Sequence, residues 1–297
     1  MAWTLYRITW RLESPLHSGF AKLGNIQRTR LYITGRMLWG ALTSRLTREQ
    51  GSHDYVRVGE AVNEYIALGY AYLSLTADGS QPLLPHYTAT GLKFAVKDDM
   101  WTEREVQQFC LASYASTALN YQRNAAEEGS LHEVEFISPR TLCALNGISA
   151  GAPLYLTTYL AVSDTIATMP EVQGWQAALP KLQLGGERTY GFGRMSLVHE
   201  PTPSDNKWWG HSVVLSRTRP EVSIDAGNSL LAHANASLLL PSDVKHGALE
   251  PLLGRDTTPQ SAFGKDLQAL GICWLPGTTV ERPIRCQIMP MGLWRKP

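Results

Sequence analysis

Hydrophobic positions alternate at the start of the chain. Over residues 4–13, Tyr6, Ile8, Trp10 and Leu12 point one way and Arg7, Thr9, Arg11 and Glu13 the other, which predicts a half-buried strand. Ser14 and Pro15 end it. A loop with Gly19 and Gly24 follows and carries Lys22, Arg28 and Arg30. The spacing then becomes helical: Thr34 reads as an N-cap, Leu38, Leu42 and Leu46 share a face, and Gly51 terminates. A second helix over about 54–68 leads to a strand over 71–76. Thr102 and Glu105 have the spacing of a capping box ahead of Val106, Phe109, Cys110, Tyr114 and Leu119, predicting a helix to about Tyr121. Residues 124–130 read as a polar, mobile connection. Strands are predicted at 133–137 and 153–162, a short helix at 170–183 with Val172, Trp175 and Leu179 on one side, and a strand at 195–199. Beyond a linker at 201–206, strands are expected at 212–217, 237–240 and 278–288.

Through residue 200 the order is strand, helix, strand, then helix, strands, helix, strand. That fits an α+β, ferredoxin-like (RRM-like) β-α-β-β-α-β core with insertions. Residues 1–203 are assigned to it, and 204–297 to a smaller β-rich C-terminal domain.

Composition narrows the function. With 44% apolar residues in 297, the chain can bury a sizeable core, and no stretch is long and apolar enough to span a bilayer. Residues 1–7 lack the pattern of a signal peptide. Cys110, Cys143, Cys273 and Cys286 form no CxxC pair, and the histidines form no zinc motif, so reduced thiols, a cytoplasmic setting and no metal or other cofactor are expected. Net charge is only +1. Its distribution says more: residues 14–48 contain Lys22, Arg28, Arg30, Arg36, Arg45 and Arg48 and no acid, which suits a local anion site.

Two segments carry candidate chemistry. Gly185, Gly186, Gly191 and Gly193 would let the backbone turn sharply and bring N–H groups to a phosphate. Arg188 and Arg194 add charge there, and Tyr190 and Phe192 offer faces for base stacking. A strand rather than a helix follows, so this is not a dinucleotide fingerprint, and no Lys-Ser or Lys-Thr makes it a P-loop. The alternative is a glycine hairpin without a ligand. At the second segment a helix begins just after Gly35. Arg36 in its first turn opposes the helix dipole, which a phosphate partner would explain. An exposed arginine without a ligand is the competing reading, and Trp39 reads as core.

Together these segments resemble the RAMP superfamily of CRISPR effector subunits. The resemblance rests on Pro15-Leu16-His17-Ser18-Gly19 at the end of the first strand, on Ile33-Thr34-Gly35-Arg36-Met37-Leu38-Trp39-Gly40-Ala41-Leu42, and on Gly185 to Gly193, in the family's order over about residues 3–200. Thr34 stands where the family usually has proline. The resemblance implies a subunit of a type III effector complex that binds crRNA as a single strand and meets backbone RAMP subunits and the large polymerase-like subunit, with no membrane. Target-cutting backbone subunits use an aspartate in the loop after the first strand, and residues 14–48 contain none. The similarity therefore implies a non-catalytic cap on the 5′ handle of the crRNA.

Three alternatives remain at this level. A repeat-processing endoribonuclease would use His17 as general base. A target-cutting subunit would need Asp78, Asp98 or Asp99 from another loop, although the aspartate pair reads more simply as preceding the helix at Thr102. A carbohydrate- or protein-binding β module would use some of the nine tryptophans. Trp208-Trp209, and Ile288-Met289-Pro290-Met291, read as exposed interface patches.

Overall fold

A computed structural model describes residues 2–256 and 265–297. Its principal sheet runs, edge to edge, Met195–Leu197, Trp3–Leu12, Tyr155–Ser163, Ala71–Ser74 and Tyr32–Ile33, with antiparallel neighbours throughout. The α+β class expected from the sequence is the class observed. Tyr155–Ser163 is central because nearly all its residues are buried, and it pairs along its length with the first strand.

One face of this sheet holds the helices. Helix α1 (Gly35–Glu49) turns Leu38, Leu42 and Leu46 inward, and helix α2 (Tyr55–Tyr65) adds Val58 and Val62. They enclose Ile8, Trp10 and Leu12, and the Trp10 indole donates to Leu179 O at 3.0 Å, so its burial costs no unmet donor. Thr34 caps α1 as the sequence predicts, its side chain accepting from Met37 N. Trp39 is core, with Nε1 bonded to Gly59 O.

The opposite face is covered at the start of the first strand, at Trp3 and Leu5, while Arg7 and Glu13 remain exposed as the alternation predicts. Trp3, Leu5, Tyr70, Tyr72 and Tyr159 pack there against Trp208, Trp209, Val222, Leu230 and Trp294 from the C-terminal region. That region is built on a sheet ordered Lys207–Trp208, His211–Val214, Glu221–Ile224, Ile284–Ile288, Trp294–Arg295, Ala234–Asn235, Asp266–Trp274 and Leu249–Asp256. Trp208 and Trp209 are therefore not an exposed patch: their rings meet Tyr159 and Tyr72 at centroid separations of 4.9–6.0 Å. Ile288 is fully buried, and Met291 packs on the helical core.

Other differences are local. Helix α3 (Glu103–Cys110) has the Thr102–Glu105 capping box but stops at Cys110. Leu111–Ser116 is instead a strand, because His132–Ile137 offers it six ladder partners; Tyr114, the supposed helical contact, is 61% exposed. Asp98 and Asp99 lie at a hairpin turn whose second strand, Asp99–Thr102, runs into α3, so they precede that helix as the sequence suggests. The helix expected over 170–183 is one α turn, Trp175–Ala178, and one 3-10 turn, Leu179–Lys181, although Val172, Trp175 and Leu179 are buried together as anticipated. Residues 237–240 form no strand, and 278–288 is two strands, Thr279–Val280 and Ile284–Ile288. All four cysteines are unpaired; burial pushes the Cys110 and Cys286 thiols up to about 12.

A buried polar cluster ties the two halves together. Arg30 Nη2 donates to Glu250 at 2.7 Å and Nη1 to the Tyr32 hydroxyl at 3.0 Å. His233 Nε2 lies 2.6 Å from the same carboxylate, and Tyr70 Oη 2.8 Å from His233 Nδ1. A carboxylate only accepts, so Nε2 carries the proton and the Tyr70 hydroxyl donates to Nδ1. Burial holds the His233 pKa below its usual 6.5, against the raising effect of Glu250. Burial pushes Glu250 up, but His233 and Arg30 outweigh it and leave the carboxyl below 4.5. Both groups therefore bind protons more readily in the unfolded chain. Stability is fully present above about pH 6.5 and is lost as pH falls, first through His233 and below about 4.5 through Glu250. The urea midpoint should fall between about pH 7.5 and pH 5; a midpoint constant over that interval contradicts this account.

Candidate nucleic-acid interface

The glycine loop is held by the end of the first strand. Gly186 N donates to His17 O at 2.9 Å, Gly193 N to Pro15 O at 2.7 Å, and Arg194 N to Ser14 Oγ at 2.8 Å. Leu184 N bonds Gly193 O and closes the loop on itself. Gly185, Gly191 and Gly193 have φ of +83°, +88° and +76°, and a side chain on Gly193 would strike the Leu184 carbonyl. This corrects the phosphate-cradle reading. The N–H groups of Gly186, Gly191 and Gly193 are spent on Pro15, His17 and Arg188 carbonyls within the protein. The glycines exist here for close backbone approach.

What the loop offers a ligand is side chains. Its tip is a 3-10 turn, Arg188–Tyr190, entered through Glu187 in the left-handed region and left through Gly191. Arg188 and Arg194 are exposed, and the Tyr190 ring is 78% exposed. Phe192 is turned the other way and meets Phe136 edge-on at 5.5 Å, so it anchors the loop rather than presenting a face for stacking.

Phe136 belongs to a second sheet, ordered Leu111–Ser116, His132–Ile137, Ile26–Thr29 and Gly19–Leu23. Register partners project from the same face of a sheet. Tyr114 pairs Val134, Val134 pairs Gln27, and Gln27 pairs Lys22, so these four form one row across it. Phe136 is two residues from Val134 and shares that face, so the glycine loop packs on the face that displays Lys22 and Tyr114. Arg28 and Glu135 alternate to the other face, where their side chains pair at 2.7 Å. Arg28 is thus removed from the expected site by an ion pair.

His17 is buried beneath the loop. Its Nδ1 lies 2.6 Å from Glu135 O, and its ring is so close to Gly19 and Gly186 that a Cβ on either would fall 2.6–2.9 Å from it. Asp78, the alternative carboxylate, accepts from Ser80 N at 3.0 Å and Ser80 Oγ at 2.8 Å. Hydrogen bonds from Thr76 and Ser80 hold its pKa at about 2.

The second sequence segment lies elsewhere. Tyr32–Ile33, which leads into α1, and Met195–Leu197, which follows the glycine loop, are opposite edges of the principal sheet with three strands between. The entrance to α1 is covered: a Cβ on Gly35 would lie 2.5 Å from Met291 O and 2.8 Å from Gly292 Cα. Arg36 donates to Arg255 O from Nε at 3.2 Å and Nη2 at 3.0 Å. Arg30 is in the buried cluster, its guanidinium also 4.7 Å above the Phe20 ring. The expected convergence of Gly35 and Arg36 with the glycine loop is therefore absent. Their partners, Glu250, Arg255 and Met291, lie more than two hundred residues along the chain, where no local pattern could reveal them. The site instead gains Tyr114, which the sequence predicts as a helical contact and which lies exposed on a strand.

No family model matches the chain, and no curated protein does. Solved structures are similar in fold. A chain of type III-B Cmr-beta bound to cognate target RNA and AMPPnP, state 1, is 13% identical with a TM-score of 0.53, covering 93% of this chain and 86% of that one. A chain of Cmr-beta bound to cognate target RNA alone is 12% identical at 0.52, with the same coverage. A chain of the Csm3-Csm4 subcomplex of the type III-A CRISPR-Cas interference complex is 10% identical at 0.49, covering 96% and 94%. This chain has the fold of chains found in type III-B CRISPR effector complexes, the fold that its resemblance to RAMP subunits implied.

Proposed function

We propose that the protein is a non-catalytic, RNA-binding subunit of a type III CRISPR ribonucleoprotein, gripping the 5′ handle of the crRNA and meeting neighbouring effector subunits in the cytoplasm. The observation that carries this reading is a set of exposed side chains, Arg188 and Tyr190 at the tip of a loop whose Phe192 packs on the sheet face that displays Lys22 and Tyr114. Among the described residues neither cation forms an ion pair with a carboxylate, and cations beside exposed rings suit a strand's phosphates and bases. The burial of His17 and the engagement of Asp78 in its own turn support a binding role over cleavage.

The test is fluorescence anisotropy with single-stranded handle RNA. Affinity should fall steeply with salt, by about 0.7 log units per log unit of salt for each phosphate contacted. Lys22→Ala with Arg188→Ala should weaken binding about tenfold or more without lowering the melting temperature. Tyr190→Ala should remove a stacking contribution of about 1–3 kcal/mol. Full affinity in all these variants would remove this surface as the site. Site-specific cleavage of repeat RNA in EDTA, abolished by His17→Ala, would establish the endoribonuclease instead.

A further inference from the structure

A separate cleft lies where the hairpin Leu84–Thr88/Gly91–Val96 meets the C-terminal region. Its volume is about 510 Å³, and it is lined by Tyr87, Thr88, Lys245, His246, Gly247 and Trp274 among others, none of them a carboxylate. It is open to solvent on one side, so a ligand there keeps part of its surface exposed.

The walls are fixed to one another. Tyr87 N donates to Gly277 O at 2.7 Å, and the Thr279 hydroxyl reaches both Tyr87 O at 3.3 Å and His246 O at 3.1 Å. It also accepts from His246 N at 3.1 Å. Gly247 allows its strand to close on Thr278, whose side-chain atoms lie 2.6–2.7 Å from where a Cβ would stand. Behind Tyr87, His86 Nδ1 pairs with Ser229 Oγ at 2.7 Å. Trp274, 9% exposed, forms part of the floor of the cleft.

We infer that this cleft binds one nucleotide, its base against the Tyr87 ring and its phosphate at Lys245 and His246. The Tyr87 ring accepts any base by stacking, and an ammonium and an imidazole suit a phosphate. The nucleotide could be free or an unstacked unit of a strand, because both present the same base and phosphate. The site stands apart from the glycine-loop surface and does not rest on the function proposed for it.

Calorimetric titration of the full chain tests this. The probes are adenosine and uridine 5′-monophosphate, a 5′-phosphorylated RNA trinucleotide, uridine and inorganic phosphate. Saturable binding of a monophosphate or the trinucleotide is expected, with uridine and phosphate each much weaker. Monophosphate binding identifies a free nucleotide; binding of the trinucleotide alone identifies a unit of a strand. Lys245→Ala on the exposed rim should weaken binding about tenfold. Tyr87→Leu keeps the backbone bonds to Gly277 and Thr279 and should remove the preference of nucleotide over phosphate. Arg188→Ala should change nothing, which separates this cleft from the glycine-loop surface. The inference is overturned if neither nucleotide probe binds, if phosphate binds as well as the nucleotides, or if Lys245→Ala and Tyr87→Leu both bind normally.

Discussion

Replacing Glu250 with leucine should lower the unfolding free energy by about 3–5 kcal/mol, read from urea denaturation at neutral pH. The carboxylate holds Arg30, whose side chain is only 11% exposed, and accepts from His233, whose side chain is fully buried. Removing it leaves a guanidinium inside the protein beside the Tyr32 hydroxyl and the faces of Phe20 and Tyr32, none of which carries a compensating charge. It also leaves the His233 Nε2–H without its acceptor. The cost is that of an uncompensated charge, not of the bond itself, so the double variant Arg30→Met with Glu250→Leu should recover much of the loss. A single Glu250→Leu variant as stable as the parent would mean that the cluster does not bind the two halves together.

Gly193→Val should cost about 3 kcal/mol or more and abolish binding at the glycine-loop surface together with it. The residue sits at φ +76°, where a β-branched side chain is strained, and its Cβ would run into the Leu184 carbonyl that closes the loop. Relief requires breaking the bonds from Gly193 N to Pro15 and from Leu184 N to Gly193, and with them the placement of Arg188 and Tyr190. Gly24→Asn is the matched control. Gly24 has φ +59° but nothing within 4 Å of its Cβ position, so asparagine, which tolerates that conformation, should cost well under about 1 kcal/mol. Equal destabilisation by the two changes, measured as urea midpoints, would refute the packing role assigned to Gly193.

Arg28, Arg30 and Arg36 stand in the acid-free stretch that first suggested an anion site, yet Glu135, Glu250 and the Arg255 carbonyl engage them. Substituting them would alter stability before it altered RNA binding. Lys22, Arg188 and Arg194 are exposed and are the informative positions.

The sequence by itself determined the local features. Alternation placed the first strand, leucine spacing and Thr34 placed helix α1, Thr102 and Glu105 started α3, and the glycine spacing marked a tight loop whose tip carries Arg188 and Tyr190. Each depends on residues a few positions apart, the range over which backbone geometry and capping act. Tertiary structure alone decided which residues meet. Leu111–Ser116 became a strand because a ladder partner some twenty residues later outcompeted helical propensity, and Trp3 and Leu5 at the start of the first strand were buried because residues from Trp208 to Trp294 cover them. Opposite sheet edges separated Gly35 from Gly193, and distant carboxylates and carbonyls claimed three arginines. Such pairings are set by the packing of whole layers, and no periodicity along the chain encodes them.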